Sequence, residues 1–354
     1  MDYFDFMKEA ILYEVIDDNT KEVECKLCSH YCKIKNNYGG ICRVRFNHNG
    51  VLYSYTYGKV DGVAIDPIEK KPFYHFKPKS RVLSFGTPGC NFKCANCQNS
   101  YLSQSIKLKP DHLLLQETVP PEEIVRLAEK YDVDGISYTY SEPTIFFEYA
   151  RDIILKCKEN PRTKNLIHLF VSNGYFSKEM LKIVVEEQLL DAINIDLKFI
   201  DDQKYLKITG GHLKPVLDSI ERVFSANIHM EIINLVIPGE NDTDESFSKI
   251  SEFIANLSKD IPLHFSRFYP QYKMTTKTPT PYSTLIRAKE IAESYGLNFV
   301  YIGNTDIPNA ENTYCPKCKF LVVERERYLT NVNYFVENGK AKCPKCLETL
   351  PIVV

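Results

Sequence analysis

The sequence has no excess of charge of either sign, no apolar run long enough to cross a membrane and no basic amino-terminal segment. Lys and Arg number 44 against 46 Asp and Glu, for a net charge of -2. This balance gives no electrostatic reason to expect a nucleic-acid or membrane partner. The acidic first residues lack the features of a signal peptide, so we expect a cytoplasmic protein.

The chain does have length, apolar residues and cysteines. Its 354 residues are 44% hydrophobic, enough for one large catalytic domain with accessory modules. The twelve cysteines fall mainly in short clusters. Clustered pairs in a chain without export signals indicate metal sites rather than a disulfide framework.

One cysteine cluster follows the apolar strand-like run Val82 to Phe85. Cys90, Cys94 and Cys97 have the spacing C-x3-C-x2-C. Closely spaced thiolates favour soft metal centres, and an iron–sulfur cluster normally takes four cysteines. Three would leave one iron open for chemistry. The alternative is a structural zinc site with a distant fourth ligand.

Strand-like and helix-like segments alternate after this loop. The predicted strands are Gly135–Tyr140, Leu166–Ser172, Ala192–Leu197, Ile228–Ile237, Leu263–Tyr269 and Phe299–Ile302. The predicted helices are Pro121–Lys130, Ile145–Lys158, Lys178–Gln188, Leu213–Ala226, Asp244–Leu257 and Tyr282–Tyr295. This repeated βα pattern predicts a parallel sheet covered by helices, either barrel-like or doubly wound.

The C-x3-C-x2-C motif after a first core strand resembles the signature of radical S-adenosylmethionine (radical SAM) enzymes. Further similarity lies in the run Asp66-Pro67-Ile68-Glu69-Lys70-Lys71, in Cys97-Gln98-Asn99 and in the flanking cysteine sets. Together these features resemble the radical SAM member of the AmmeMemoRadiSam system, whose core is similar to pyruvate formate-lyase activating enzyme. One departure is Asn96, where the family usually has an aromatic residue.

The resemblance implies an α/β fold with a partial (β/α)6 barrel at about residues 81–305. Ligands of such barrels bind at the carboxyl ends of the strands. By resemblance, Cys90, Cys94 and Cys97 hold a 4Fe–4S cluster and Glu142 receives the ammonium group of S-adenosylmethionine. The other cofactor contacts that the resemblance implies are Ser172, Asn173, Asp196, Lys198, Val236 and Arg267. Alternatives from the residues alone are a turn at Ser172-Asn173 and a surface ion pair between Asp196 and Lys198.

Two closed four-cysteine sets flank this core. The first, in a module at residues 1–80 with a predicted strand from Val51 to Tyr57, is Cys25, Cys28, Cys32 and Cys42. It predicts a zinc site, with an auxiliary iron–sulfur cluster as the alternative. The second, at residues 306–354, is Cys315, Cys318, Cys343 and Cys346. Its two C-P-K-C hooks predict a zinc ribbon, with a rubredoxin-like iron as the alternative.

The resemblance implies an enzyme that reductively cleaves S-adenosylmethionine to a 5′-deoxyadenosyl radical, with reduced ferredoxin or flavodoxin as electron donor. We expect the radical to attack a small molecule such as a nucleobase, amino acid or metabolite. The alternative is a glycine of a partner protein, as in activating enzymes. A third hypothesis is that the protein is a zinc-stabilised binding adaptor with an inactive core. Candidate substrate contacts are His264 and three residues of the linker, the proline-rich stretch of residues 66–78 before the first core strand. The three are Lys70, Lys71 and His75.

Overall fold

A computed structural model describes residues 7–108, 117–327 and 329–354. Its centre is an eight-stranded sheet with the order β14-β13-β12-β11-β10-β9-β8-β7. The strands are β7 (Asp61–Pro67), β8 (Arg81–Gly86), β9 (Gly135–Tyr138), β10 (Ile167–Ser172), β11 (Ala192–Asp196), β12 (His229–Val236), β13 (Leu263–Arg267) and β14 (Val300–Gly303). From β8 to β14 every neighbouring pair is parallel, whereas β7 pairs antiparallel with β8.

Helices connect the parallel strands. They are α1 (Ser100–Ser103), α2 (Ser105–Leu108), α3 (Pro121–Lys130), α4 (Phe147–Glu159), α5 (Lys178–Glu186), α6 (Asp202–Thr209), α7 (Leu213–Ser225), α8 (Asp244–Leu257) and α9 (Tyr282–Ser294). Polar side chains cap the amino-terminal ends of several helices. The Ser177 side chain accepts a hydrogen bond from the Met180 amide at the start of α5, and the Thr243 side chain accepts one from the Ser246 amide at the start of α8. The apolar faces of these helices and the central strands contribute to one buried core.

Two small sheets precede the central sheet. Their strands are β1 (Lys8–Glu9), β2 (Tyr13–Asp17), β3 (Glu22–Cys25), β4 (Lys33–Ile34), β5 (Arg45–His48) and β6 (Val51–Ser54), in the orders β1-β6-β5 and β2-β3-β4. Buried residues of these sheets, such as Val23 and Leu52, belong to the same core cluster as the central strands. The two sheets therefore pack directly on the helix-covered core.

The carboxyl-terminal segment has its own small core. Its strands are β15 (Thr313–Tyr314), β16 (Leu321–Glu326), β17 (Leu329–Val332), β18 (Phe335–Glu337) and β19 (Lys340–Lys342). Cys315, Val322 and Cys343 are buried together there. The Val353 amide donates to the carbonyl of His75 at 2.8 Å, so the last residues contact the loop before β8.

The predicted α/β class with a central parallel sheet is confirmed. Each of the six strands and six helices expected after the cysteine loop is present, with boundaries that differ by at most a few residues. The sheet has seven parallel strands where the resemblance implied a six-unit barrel. The three-part domain division stays a prediction; β7, inside the expected amino-terminal module, joins the central sheet. In the described part of the chain no helix has the length and apolar character needed to cross a membrane.

Candidate active site

The C-x3-C-x2-C loop begins where β8 ends, at the carboxyl edge of the parallel sheet. Gly89 has a φ of 107°, and a Cβ there would approach the Val44 side chain to 2.6 Å. Only glycine allows the chain to turn here against the amino-terminal module. Cys90, Cys94 and Cys97 follow this turn, and all three line one cavity of about 270 Å³.

The other walls of this cavity come from the ends of successive strands. They are formed by Thr139 to Glu142 after β9, Ser172 and Asn173 at the end of β10, Asp196 and Lys198 after β11, Ile233 and Leu235 on β12, and Ser266 on β13. The carboxyl ends of parallel strands meet at one edge, so side chains distant in sequence converge. Of the predicted cofactor contacts, Glu142, Ser172, Asn173, Asp196 and Lys198 are brought together here.

Neighbouring groups hydrogen-bond to the sulfur atoms of the loop. The Phe92 amide donates to Cys90 Sγ at 3.4 Å, and Asn173 Nδ2 lies 3.9 Å from the same sulfur. Cys97 Sγ is 3.1 Å from Ser103 Oγ. Burial raises the pKa of Cys90 above its ordinary value and that of Cys94 to about 11, while Lys198 opposes the shift at Cys94. Thiols in this setting lose their protons when a cationic centre binds them.

Glu142 is buried at the floor of the cavity. Its Oε1 accepts from the Thr144 amide at 3.0 Å, from Thr144 Oγ1 at 2.7 Å and from Ser172 Oγ at 2.8 Å, while its Oε2 accepts from the Asn173 amide at 2.8 Å. Burial raises the pKa of this carboxyl group, and the hydrogen bonds act in the opposite direction. Glu142 thus fixes the β10 strand end in addition to facing the cavity.

Asp196 and Lys198 form an ion pair in the lining of the cavity. Lys198 Nζ lies 2.6 Å from Asp196 Oδ2. Burial lowers the pKa of Lys198, but the adjacent carboxylate of Asp196 outweighs it and holds the pKa above its ordinary value. Both residues of the pair line the cavity, and their role there stays a prediction.

Two predicted cofactor contacts lie outside the cavity lining. The Val236 carbonyl accepts a hydrogen bond from Thr280 Oγ1 at 2.6 Å. The Arg267 guanidinium packs over the Tyr282 ring at 4.3 Å and donates to the Thr280 carbonyl. Ile233 and Leu235 are the β12 residues that face the cavity, as strand alternation requires. A cofactor role for Val236 and Arg267 stays a prediction.

The sequence analysis did not predict several residues that line the cavity or lie beside the cysteine loop. Asn96, Gln98 and Asn99 line the cavity from within the cysteine loop. Lys107, whose Nζ donates to the Phe92 carbonyl at 2.7 Å, lies in electrostatic range of all three loop cysteines. The positions of Gln98 and Asn99 directly after the third cysteine could have predicted a place in the cavity lining. No feature of the sequence indicates the position of Lys107.

The Asp66 carboxylate links the linker to the cavity. It accepts from Lys70 Nζ and Lys71 Nζ, both at 2.7 Å, and from the Tyr140 hydroxyl at 2.8 Å. Burial raises the pKa of Asp66, but the two lysines outweigh it and hold the pKa below its ordinary value. Tyr140, with a φ of 64°, lines the cavity at the end of β9. The linker therefore supports one wall of the site.

A second cavity, of about 710 Å³, adjoins the first. The two share Gln98, Ile233 and Ser266 as lining residues. Lys70 and His264, two predicted substrate contacts, line it. The other two lie elsewhere: Lys71 is buried against Asp66, and His75 Nε2 is 2.6 Å from the Tyr301 hydroxyl.

His264 is held by a buried carboxylate. Its Nε2 lies 2.7 Å from Glu231 Oε2, and His229 is within 3.2 Å of the other oxygen. Glu231 also accepts from the amides of Tyr74 and His75 at 2.8 Å. This carboxylate fixes the linker over the second cavity.

The flanking cysteine sets differ in their surroundings. The four sulfur atoms of Cys315, Cys318, Cys343 and Cys346 all lie within 4.8 Å of one another, a spacing that fits a single metal ion. In the amino-terminal set, Cys25 ends β3 and its amide donates to the Cys32 carbonyl at 2.9 Å. Which metal each set holds stays a prediction.

Comparison with known proteins decides the family. The family model described as the radical SAM superfamily matches residues 85–254, the region of the loop and its cavity. The chain is also 30% identical over 221 residues to a putative glycyl-radical enzyme activating enzyme of Methanocaldococcus jannaschii, covering 61% of this chain and 78% of that protein. The chain belongs to the radical SAM superfamily. As a radical SAM protein it is an enzyme, and the family implies S-adenosylmethionine and an iron–sulfur cluster.

Two further relatives of this radical SAM enzyme differ in how much of the chain they match. An uncharacterized protein of Methanocaldococcus jannaschii is 42% identical over 352 residues, which is 98% of this chain and 100% of the relative. Pyruvate formate-lyase 1-activating enzyme of Escherichia coli K12 is 24% identical over 233 residues, covering 62% of this chain and 91% of that enzyme. The similarity to the first of these relatives therefore extends over the flanking segments as well as the core.

Proposed function

We propose that Cys90, Cys94 and Cys97 hold a 4Fe–4S cluster, that the surrounding cavity binds S-adenosylmethionine, and that the enzyme removes a hydrogen atom from a glycine of a partner protein. The observation that carries the proposal is the convergence of three thiols and the polar strand ends on one cavity. Bound together, the reduced cluster and S-adenosylmethionine supply a 5′-deoxyadenosyl radical able to abstract hydrogen.

The residues of this chain fit both groups. Among the described residues that line the cavity, the cysteines number three, which leaves one coordination position of a four-iron cluster for another ligand. The Phe92 amide and Asn173 Nδ2 direct donors at Cys90 Sγ, as expected beside a sulfur ligand that carries charge. The remaining wall offers carboxylate, ammonium, hydroxyl and amide groups in one place.

Each polar group has a proposed task. Glu142 lines the cavity, and its Oε2, which has one amide donor, can accept a further hydrogen bond from the ammonium of S-adenosylmethionine. Lys198, oriented by Asp196, offers a cation to a carboxylate or ribose oxygen. The apolar side chains of Ile233 and Leu235 suit the adenine ring. The adjacent strand ends orient the cofactor and exclude water.

A protein substrate is favoured by the relatives. Among them are a putative glycyl-radical enzyme activating enzyme and pyruvate formate-lyase 1-activating enzyme. A small-molecule substrate is the second candidate, and the adjoining cavity of about 710 Å³ supports it. We further propose reduced ferredoxin or flavodoxin as electron donor, because radical SAM enzymes need a reduced one.

The triple variant Cys90→Ala/Cys94→Ala/Cys97→Ala tests the cluster assignment. We expect loss of the iron and sulfide of the core site and of dithionite-dependent 5′-deoxyadenosine formation after anaerobic reconstitution. Cys157→Ala is the matched control, because Cys157 is buried in α4 outside the cavity. 5′-Deoxyadenosine formation by the triple variant would refute the assignment.

The substrate class needs a separate experiment. Extract of the source organism grown on glycine deuterated at Cα is divided into high- and low-molecular-mass fractions and given to the enzyme. We expect deuterium in 5′-deoxyadenosine with the high-mass fraction alone. Deuterium transfer or turnover that depends on the low-mass fraction would instead favour a small-molecule substrate.

A further inference from the structure

Glu69 places a carboxylate oxygen without a partner beside the second cavity. It lies in the single turn of 3-10 helix at Ile68–Lys70 and is 5% exposed. Oε1 accepts from the Lys79 amide at 2.9 Å, whereas the buried Oε2 has no hydrogen-bond partner. A buried carboxylate oxygen is costly unless something donates to it. Glu69 lines the cavity, so a donor can reach it from there.

A second carboxylate lines the same cavity from the carboxyl-terminal side. Glu311 precedes β15 and lies beside the Tyr74 hydroxyl. Burial raises the pKa of Glu311, and the charge of Glu69 contributes in the same direction. Both carboxylates line the same cavity, so one cation bound there would lessen their mutual repulsion.

No cation among the described residues donates to Glu69 Oε2, although the exposed Arg327 also lines this cavity. Arg325 donates to the carbonyls of Glu311 and Tyr74 at 2.9 and 2.7 Å and to Thr313 Oγ1 at 2.8 Å. Lys70 Nζ is bound to Asp66. The acceptor at Glu69 Oε2 is left for a ligand.

We infer that Glu69 and Glu311 bind a cationic ammonium or guanidinium group of the substrate, in the cavity next to the cofactor. The inference rests on the proposed function, because it makes the second cavity the substrate site of a radical SAM reaction. An organic cation fits better than Mg²⁺ or Ca²⁺, since these ions take six or more oxygen ligands. A charge-assisted hydrogen bond from the substrate would also fix its distance from the radical.

The source of this cation is either a Lys or Arg side chain of a polypeptide or a free small amine. Binding is measured on reconstituted enzyme saturated with S-adenosylmethionine, with four probes. The first pair is n-pentylamine and the uncharged n-pentanol. The second pair is two heptapeptides with glycine at the centre, one of which has norleucine where the other has Lys. We expect each cationic probe to bind at least tenfold more tightly than its neutral partner.

Two isosteric variants assign that preference to the carboxylates. Glu69→Gln keeps an oxygen for the Lys79 amide, and Glu311→Gln is the independent second variant. We expect at least one of them to remove the tenfold preference for the cation, while Glu326→Gln, on the exposed side of β16, retains it. Circular dichroism melts establish which variants are folded.

The outcomes separate the possibilities. Equal binding of charged and neutral probes, or a preference unchanged in both folded variants, would overturn the inference. Tighter binding of the Lys peptide than of n-pentylamine assigns the cation to a polypeptide, and the reverse order assigns it to a small amine. Failure of the wild-type enzyme to form 5′-deoxyadenosine would instead count against the proposed function, because probe binding requires no turnover.

Discussion

The Arg45 guanidinium donates two hydrogen bonds to the Glu148 carboxylate, at 2.6 and 2.8 Å. Both side chains are 1% exposed. Arg45 lies on β5 and Glu148 on α4, so the pair joins the amino-terminal sheets to the helix layer of the core. Glu148 also accepts from the Ile11 amide at 2.8 Å.

Removing one partner of this pair should destabilise the protein strongly. Glu148→Gln leaves the buried Arg45 charge uncompensated, and we expect a loss of about 3–5 kcal/mol in the free energy of unfolding. Urea denaturation measures it. Glu123→Gln breaks an exposed pair with Arg126 and should cost less than about 1 kcal/mol. Equal losses in the two variants would contradict the prediction.

Glu142→Gln should weaken S-adenosylmethionine binding. Loss of a charge-assisted hydrogen bond costs about 1.5–3 kcal/mol, or roughly 10- to 100-fold in Kd. Titration calorimetry on reconstituted enzyme measures it. Thr144→Val removes one hydrogen bond to the same carboxylate and leaves its charge, so we expect reduced stability with little change in affinity. An unchanged Kd in Glu142→Gln would show that another group holds the ammonium.

Cys343→Ser should unfold the carboxyl-terminal segment. Metal binding in a small four-cysteine module contributes on the order of 10 kcal/mol to its folding. We expect loss of one metal ion per chain and new proteolysis near Asn309, with iron and sulfide of the core retained. Cys157→Ser is the matched control, since Cys157 lies outside this sulfur group. Retention of the metal by Cys343→Ser would contradict the four-thiolate site.

His168 should make stability depend on pH. Burial lowers its pKa to about 3, so between that value and the ordinary pKa of about 6.5 the unfolded chain binds a proton that the folded chain does not. Stability is fully present above pH 6.5 and falls by up to about 1.4 kcal/mol per pH unit below it.

His168→Gln should reduce that slope between pH 6.5 and 4 in denaturant titrations. Tyr138→Phe removes the neighbouring hydroxyl, 3.3 Å from His168 Nδ1, and should retain the slope. His75, also buried with its pKa lowered to about 3, keeps part of the dependence in both variants. A slope that His168→Gln leaves unchanged would show that the imidazole at this position is not the source.

The regular part of the fold could be predicted because its signals are local. Val82 to Phe85 and the strands after it are apolar runs bounded by turn residues, and helices such as Pro121–Lys130 carry proline and acids in the first turn. Ligands of such folds bind at the carboxyl ends of the parallel strands, which predicted that Glu142, Asn173 and Lys198 lie close together. The structure brings all three to one cavity.

Most of the parts that were missed depend on distant contacts, whereas α6 was missed although its caps are local. β7 is a strand because it pairs with β8, and the pairing register shifts between Asp61 and Ala64, so the segment lacks a regular alternation of apolar residues. Helix α6 is short and polar, held by its Asp201 cap and by Gly210 in the left-handed region. Lys107 and Glu311 are separated in sequence from the motifs they adjoin. Their positions follow from the folded chain alone.

The order of strands in the central sheet equals their order in the sequence from β8 to β14. Each new strand of a growing chain can thus add to the edge left by the previous one, as the ribosome releases it. The opposite edge strand of the sheet is β7, which precedes β8 in the chain and pairs antiparallel with it. The parallel strands of a partly synthesised chain would then be added at one edge only, the edge away from β7.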